Sequence, residues 1–165
     1  MKAKPLSAAE AVALLSENAT ALARLAHESS PERLRTAQQP GEWSPNEVLA
    51  HMRACADVWG GNIARILAEE DATFAGMNPR TWIKRTDYLE WRFDDALRAF
   101  ASQREQLLDV LGGLKPHEWE RTATVTAWGQ ANERTLRSYA SQLVLHERTH
   151  VHQIEDSLKL GKIIQ

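Results

Sequence analysis

Apolar residues recur at helical spacing in four separate stretches of the chain. The predicted helices run from about Ala8 to His27, from Pro45 to about Glu70, from about Tyr88 to Leu111 and from about Arg134 to Leu160. Within each stretch the apolar side chains stand three or four residues apart, so they share one face of a helix while polar side chains occupy the other. The pattern therefore predicts four amphipathic helices that bury their apolar faces against one another.

Two of these helices begin with a strong start signal. Ser7 is followed by Glu10 and Ser44 by Glu47, the spacing of a capping box, in which the serine hydroxyl and the carboxylate each accept a hydrogen bond from the other residue's backbone amide. Pro45 stands at the first position of the second helix, where a backbone N–H has no partner within the helix. These signals predict where the first and second helices start.

The segments between the helices carry turn residues and no long alternating pattern. Residues 71–86 contain glycine, proline and a basic cluster, and residues 115–133 are predicted to be irregular, with a short extended stretch at Thr122–Thr126. Gly161 is expected to end the fourth helix. Without a convincing strand pattern, the sequence predicts an all-α protein, a four-helix bundle of the up-and-down type in a single domain spanning residues 1–165.

Composition and charge narrow the range of partners. A chain of 165 residues can bury a core without disulfides, and its single cysteine, Cys55, cannot form an internal one. The formal net charge of -2 gives no electrostatic basis for binding nucleic acid or an anionic membrane. No stretch of about 18 apolar residues is present that would span a bilayer. We therefore expect a cytoplasmic protein whose partner is neither nucleic acid nor membrane.

Candidate chemistry is concentrated in the segment Leu145–Ile154. His146 and His150 stand four residues apart, so their imidazoles lie on one face of the predicted helix, whereas His152 points to nearly the opposite side. His51, on the flank of the apolar stripe of the second helix, is the candidate third ligand. Three neutral imidazoles with a free coordination position describe an open metal site of the zinc type. The alternative is that these are core-edge histidines satisfied by ordinary hydrogen bonds.

The same segment matches the H-E-x-x-H pattern of zinc metalloproteases, in which the glutamate, here Glu147, is the general base. The sequence after His150 lacks the third-ligand context of those enzymes, and Gln153 stands where the metzincin motif requires glycine. A peptidase is therefore not favoured. Glu147 is still predicted to face the apolar side of its helix, as a candidate base or a group that supports the ligands. A salt-bridged glutamate at the edge of the core is an equal alternative.

The run from Pro40 to His51, PGEWSPNEVLAH, followed far downstream by HERTHVHQI from His146 to Ile154, resembles the DinB family, including its DinB_2 branch. The paired features are Trp-Ser followed by His, and His-x-x-x-His-x-x-Gln. The resemblance spans most of the chain and implies a bundle of up-down-down-up topology. It also implies a metal site at His51, His146 and His150, and often a dimer. Thr149 stands where many relatives have a second adjacent histidine, which leaves the expected ligand in place.

The resemblance also implies an activity. Family members with assigned roles include thiol-dependent S-transferases and a thiol-dependent isomerase, which use the metal to activate a low-molecular-weight thiol. An ion at an open site acidifies either a bound thiol or a bound water. We therefore expect a homodimeric enzyme with a divalent ion, zinc, nickel or iron, that acts on a small molecule as a thiol S-transferase or a hydrolase. The alternative is a non-catalytic binding or stress-response module in which the ion only holds the second and fourth helices together.

Two further features have both a functional and a structural interpretation. Arg80, Lys84 and Arg85 form a basic cluster that can bind the carboxylates of an anionic thiol, or can simply be solvated. Cys55 lies one helical turn from His51 and is interpreted as an inert buried thiol rather than a ligand.

Overall fold

Four long helices form the body of the protein. The computed structural model describes residues 4–163, with side chains as far as residue 159. The long helices are α1 (Ala8–His27), α3 (Pro45–Ala68), α5 (Phe93–Gly112) and α6 (Leu136–Ile163), and two short helices, α2 (Pro31–Arg35) and α4 (Pro79–Trp82), lie in the connections. The protein is therefore mostly helical, as predicted. No described helix combines the length and apolar character needed to cross a membrane.

The predicted start signals of the first two long helices are confirmed. The Ser44 amide donates to the Glu47 carboxylate at 2.7 Å, the Glu47 amide donates to the Ser44 hydroxyl at 3.3 Å, and Pro45 occupies the first turn. Ser7 and Glu10 form the same reciprocal pair at the start of α1. The prediction that Gly161 ends the fourth helix is wrong, because α6 continues to Ile163. A glycine inside a helix costs only about 1 kcal/mol relative to alanine, so it does not by itself stop one.

The third long helix begins later than predicted. Residues Tyr88–Glu90 form a 3-10 turn, and α5 starts only at Phe93. The reason is tertiary, because the Tyr88 hydroxyl donates to Asp57 of α3 at 2.6 Å, and the Arg53 guanidinium of α3 stacks 3.7 Å from the centre of the Tyr88 ring. These contacts hold the segment that follows α4 against α3. The Trp82 indole of α4 donates to the same Asp57 carboxylate at 3.0 Å, which places α4 and its Arg80 beside α3.

The long helices pack so that α1 and α3 each contact both α5 and α6. The Leu6 amide donates to Ser141 at 2.9 Å and Arg24 pairs with Glu155, so α1 runs parallel to α6. The contacts between α3 and α6 show that these two helices are antiparallel. This arrangement is consistent with the up-down-down-up order implied by the DinB resemblance. Buried apolar side chains of all four helices form the core, among them Leu15, Leu22, Leu49, Met52, Ile63, Phe100, Leu111, Leu136, Leu143 and Ile154.

The prediction of an all-α protein is wrong in one respect, because a small three-stranded sheet lies at one end of the bundle. Strand β1 (Thr73–Ala75) pairs in parallel with β2 (Thr122–Ala127), which forms an antiparallel hairpin with β3 (Gln130–Thr135). Strand β2 coincides with the predicted extended stretch. Strand β3 has no buried residue and so no apolar alternation for the sequence to reveal. The hairpin turns at Trp128 and Gly129, both with positive φ, as in a type I′ turn.

A buried ion pair connects α5 to α6 in the centre of the bundle. Arg104 donates to the Glu147 carboxylate, and the side chains are 2% and 0% exposed. The amide of Asn18 on α1 donates to the Val144 carbonyl of α6 at 3.1 Å, one turn away from the ion pair. Removing one partner of such a pair leaves an uncompensated charge in the core. The pair therefore constrains how α5 and α6 pack.

We predict that Arg104→Met lowers the free energy of unfolding by about 3–5 kcal/mol, since it leaves the Glu147 carboxylate buried without its cation. Urea denaturation of both proteins at neutral pH measures the difference. The double variant Arg104→Met with Glu147→Gln is expected to recover part of the loss, because neither charge then remains.

The matched control is Arg98→Met on the same helix. Arg98 is 73% exposed in its pair with Asp95, so its removal should cost less than about 1 kcal/mol. Equal losses for Arg98→Met and Arg104→Met would show that the buried pair does not constrain the bundle.

Candidate metal centre

Three imidazoles converge between α3 and α6. His51 lies in the second turn of α3, shortly after the capping box, and His146 and His150 lie one turn apart in the middle of α6. The Nε2 atom of His146 is 3.2 Å from that of His51 and 3.1 Å from that of His150. The ring centres of His51 and His150 are 5.0 Å apart. The structure thus places together the three histidines identified in the sequence, hereafter the histidine cluster. That they bind a metal stays a prediction.

Aromatic walls and burial keep these imidazoles neutral. The Trp43 ring lies 5.3 Å from that of His51, and the Trp59 ring meets that of His146 edge-on at 4.9 Å. Burial, with smaller effects from His150 and Arg80, lowers the pKa of His51 to about 4. Burial, with smaller effects from His150 and His51, lowers the pKa of His146 to about 3. Burial also lowers the pKa of His150. At neutral pH all three rings therefore offer lone pairs rather than positive charges.

The hydrogen bonds of the cluster fit a cation at its centre. His150 Nδ1 lies 2.7 Å from the Gln153 side-chain oxygen, so Nδ1 carries the hydrogen and donates, which leaves a lone pair on Nε2. That lone pair faces His146 Nε2. Imidazole nitrogens bound to one tetrahedral ion at about 2.0–2.1 Å lie about 3.3–3.4 Å apart, close to the two contacts of His146 Nε2. His150, however, does not belong to the group of described ligand atoms that all lie within 4.8 Å of one another. Without an ion, His146 in the tautomer with its hydrogen on Nε2 donates to a neighbouring imidazole; with a divalent ion bound, all three Nε2 atoms would instead offer lone pairs.

Cys55 lies closer to the cluster than the sequence interpretation implies. Its Sγ is 3.5 Å from His51 Nε2 and 3.7 Å from His146 Nε2. Among the described residues, His51, Cys55 and His146 form a group whose ligand atoms all lie within 4.8 Å of one another. The four-residue spacing of His51 and Cys55 on α3 was the signal for this proximity. Burial, and then the charge of Glu147, raise the pKa of the thiol to about 12, so it is protonated at neutral pH in the absence of an ion.

Glu147 occupies a different position from the one a catalytic base needs. One residue along a helix rotates a side chain by about 100°. Glu147 therefore lies in the core in its pair with Arg104, and its side chain is 0% exposed. Burial raises its pKa to about 7, against the opposing effect of Arg104. The placement favours a structural role that holds α6 in register, and its role as a base stays a prediction.

Two cavities reach the histidine cluster from outside. The first, of about 650 Å³, is lined by His150, Gln153, Trp43 and Arg80, among others. The second, of about 480 Å³, is lined by His146, Trp59 and polar residues of α6. Of the basic cluster identified in the sequence, Arg80 therefore lies at the site. The position of Arg80 depends on how the connection folds back, which the sequence alone did not indicate.

A helical bundle that brings three imidazoles of two helices together defines a candidate metal-binding protein. The family model of the DinB superfamily matches residues 14–154, most of the chain, and the protein belongs to the DinB superfamily. The family resemblance inferred from the sequence is thereby confirmed.

A solved structure has the same fold. It is YfiT from Bacillus subtilis, whose description reads "a probable metal-dependent hydrolase with an unusual four-helix bundle topology". The TM-score is 0.75 at 17% identity, over 99% of this chain and 93% of that chain. Such a low identity supports a shared fold only. No curated protein matches the chain significantly.

We predict that the metal-free protein loses stability as the pH falls from about 6.5 to about 4. His51 and His146 have pKa values below the ordinary 6.5, so within this range the unfolded chain binds protons that the folded chain does not. Each such proton lowers the unfolding free energy by about 1.4 kcal/mol per pH unit. Glu147, with its pKa raised to about 7, binds a proton in the folded chain first and so offsets the effect of one histidine down to about pH 4.5. Urea denaturation at a series of pH values with a chelator present measures the slope.

His51→Gln is expected to reduce that slope, because it removes one of the titrating groups. The control is His152→Gln on α6, whose side chain is 61% exposed and which should leave the slope as it is. If the slope of unfolding free energy against pH is the same in His51→Gln as in the wild type, His51 is not one of the groups with a lowered pKa.

Proposed function

We propose that this protein is a metal-dependent hydrolase of the DinB type, built on an up-down-down-up bundle, with its divalent ion held by His51, His146 and His150. The observation that carries the proposal is the convergence of three neutral imidazoles, with Nε2 contacts of 3.1 and 3.2 Å, and two of these imidazoles line cavities open to the outside. The metal-dependent activity named for the structurally similar YfiT supports the proposal.

In the proposed enzyme each residue of the site has a distinct role. An ion bound by three neutral imidazoles acidifies a water or thiol at its free position and polarises a carbonyl oxygen. Gln153 holds the His150 ring in the tautomer that directs Nε2 inward. Trp43 and Trp59 place aromatic rings against His51 and His146, at the two cavities through which a small molecule would approach the cluster. Three imidazoles suit zinc and nickel, and they suit iron equally well.

Imidazoles are better ligands here than the Cys55 thiol. Coordination by sulfur requires a thiolate, and a thiolate at this position would add a second anion to a core that already holds Glu147. The imidazoles need no deprotonation. Three histidines also leave a position free for chemistry, whereas a fourth protein ligand would close the site as in structural zinc centres.

A thiol S-transferase is the second candidate, and Arg80 is the observation that favours it. Its guanidinium lies 5.9 Å from the centre of the Trp43 ring, at the cavity of His150, and its charge lowers the pKa of His51, His150 and Cys55. The same positive charge would stabilise a thiolate and the carboxylates of a small anionic thiol. We keep the homodimer as part of the proposal, on the family resemblance alone.

We predict that the wild-type protein binds one divalent ion per chain. His51→Ala and His146→Ala should each weaken binding of the ion by more than about 100-fold, because loss of a group that only supports a ligand already weakens it by about 10- to 100-fold. Elemental analysis after loading with zinc or nickel and dialysis measures occupancy. His152→Ala is the matched control and should load normally. Equal, near-zero occupancy in wild type and variants would remove the metal centre.

In the same experiment, Cys55→Ala distinguishes a site of three histidines from a site that includes the Cys55 sulfur. It should keep one ion per chain, and the cobalt-loaded wild type should lack the sulfur-to-cobalt charge-transfer band. Loss of the ion in Cys55→Ala, together with such a band in the wild type, would show that Cys55 is a ligand, and a further loss in the alanine variant of each of the three histidines would then show a closed site. That result would support the alternative function, a non-catalytic module in which the ion only joins α3 and α6.

We predict metal-dependent ester hydrolysis, measured as the release of nitrophenol from 4-nitrophenyl acetate. Chelation should abolish turnover and readdition of the ion should restore it, while His51→Ala with the same added ion gives only the background rate. Conjugation of cysteine to monobromobimane, measured in parallel, tests thiol transfer. A stably folded, metal-loaded protein that shows neither reaction would overturn the enzymatic proposal. Glu147→Gln should lower stability more than turnover per loaded site, and the reverse result would identify it as the base.

A further inference from the structure

A third cavity, of about 580 Å³, lies between the β2–β3 hairpin, α3 and α6 and has no role in the chemistry described so far. We call it the hairpin cavity. Trp59, Trp128 and Tyr139 supply aromatic rings to its wall, and Val125 belongs to the apolar part of the lining. Its volume lies within the range of about 300–1,000 Å³ that is usual for small-molecule sites.

The hairpin cavity contains a cation without a matching anion. Arg134 is the one charged residue among the described residues that line it. The Arg134 guanidinium donates to Ser138 at 3.1 Å and to Gln142 at 2.8 Å, and it stacks 4.5 Å from the centre of the Tyr139 ring. Both hydrogen-bond partners are neutral, and no carboxylate lies within 4.0 Å of Arg134 in the described part of the chain. A half-buried guanidinium held in place in this way is suited to pair with a carboxylate.

Trp128 places a large aromatic ring at the rim of the same cavity. Its residue is 97% exposed and has a φ of 48°. Non-glycine residues are uncommon at such φ values, where Asn, Asp and His are enriched, and a bulky residue there is an outlier that indicates strain. Full exposure means that the strain is not offset by packing within the chain. A ligand in the hairpin cavity would bury part of this ring.

The hairpin cavity is also connected to the metal centre. Trp59 and Gln142 line both the hairpin cavity and the cavity at His146. Gln142 and His146 are one turn apart on α6, about 6 Å along the helix axis. A molecule of moderate length that is bound at Arg134 can therefore extend past Gln142 towards His146.

We propose that the hairpin cavity binds the body of the substrate, an aromatic ester that carries one carboxylate, with Arg134 pairing with the carboxylate and Trp128 covering the ring. This assignment rests on the proposed hydrolase for the reaction, but the binding site stands on its own contacts. In the reaction water adds to the acyl carbon, the ester C–O bond breaks, and the leaving oxygen takes up a proton. The negative charge of the substrate then lies at Arg134 and its ester group near the histidine cluster.

Calorimetric titration of the metal-loaded protein with indole-3-acetate and its neutral analogue indole-3-acetamide tests the site. The acid should bind about 10- to 100-fold more tightly than the amide, the range of a charge-assisted hydrogen bond. Arg134→Gln should abolish this preference and Arg134→Lys should retain part of it. Arg148→Gln, the same charge change at an exposed position of α6, is the matched control and should leave the preference intact.

Trp128→Ala should weaken binding of both probes by about 2- to 10-fold, and Trp128→Phe should not. Equal binding of acid and amide by the folded wild type, or an unchanged preference in Arg134→Gln, would overturn the assignment.

Steady-state kinetics distinguishes failure of the proposed binding site at Arg134 from failure of the proposed hydrolase activity. For 4-(acetyloxy)benzoate, Arg134→Gln should raise KM with little change in kcat, while the values for the neutral methyl ester of the same compound stay as they are. Acid-selective binding without any metal-dependent turnover would refute the hydrolase and leave the binding site standing. Metal-dependent turnover with the same KM for both esters in wild type and Arg134→Gln would refute the binding site and leave the hydrolase standing.

Discussion

The structure depends on how the bundle accommodates polar side chains on the buried face of α6. His146, Glu147 and His150 all lie on the side of this helix that packs against other helices, and a buried polar group without a partner costs about 1–3 kcal/mol. Glu147 pairs through one carboxylate oxygen with Arg104 of α5, while the two imidazoles meet His51 of α3. The packing of α6 against both neighbours is therefore determined by polar pairing as well as by apolar area.

Helical geometry lets one segment supply both a site and its support. Residues four apart share a face of α6, which directs His146 and His150 to α3, and the intervening Glu147 is rotated by about 100° towards α5. Its ion pair with Arg104 resists rotation of α6 about its axis, and such a rotation would carry both imidazoles away from His51. The H-E-x-x-H spacing that suggests a protease thus has a structural explanation in this bundle. The glutamate positions the helix that carries the histidines.

The long helices and the histidine cluster were predictable because their signals are periodic and local. Capping boxes, apolar spacing and the four-residue separation of His146 and His150 can all be seen without knowledge of the fold. Strand β3, QANERT, has no such signal, since it lies exposed at the edge of the sheet and depends on pairing with β2. The late start of α5 depends on contacts of Asp57 and Arg53 with Tyr88, and the position of Arg80 on the contact of Asp57 with Trp82 of the same short helix. Sequence periodicity contains no information about such contacts.

The sheet is anchored to the two helices that carry the histidine cluster, and this gives it a functional meaning. The guanidinium of Arg121 donates to the carbonyl oxygens of Ile66 and Glu69 at the end of α3, and the Leu136 amide at the start of α6 donates back to the Arg121 carbonyl. The hairpin is thus fixed relative to the imidazoles, and Arg134 reaches Gln142, one turn from His146. In the proposed hydrolase the bundle would hold the ion through the histidine cluster, while the hairpin, through Arg134 and Trp128, would select the molecule that approaches it.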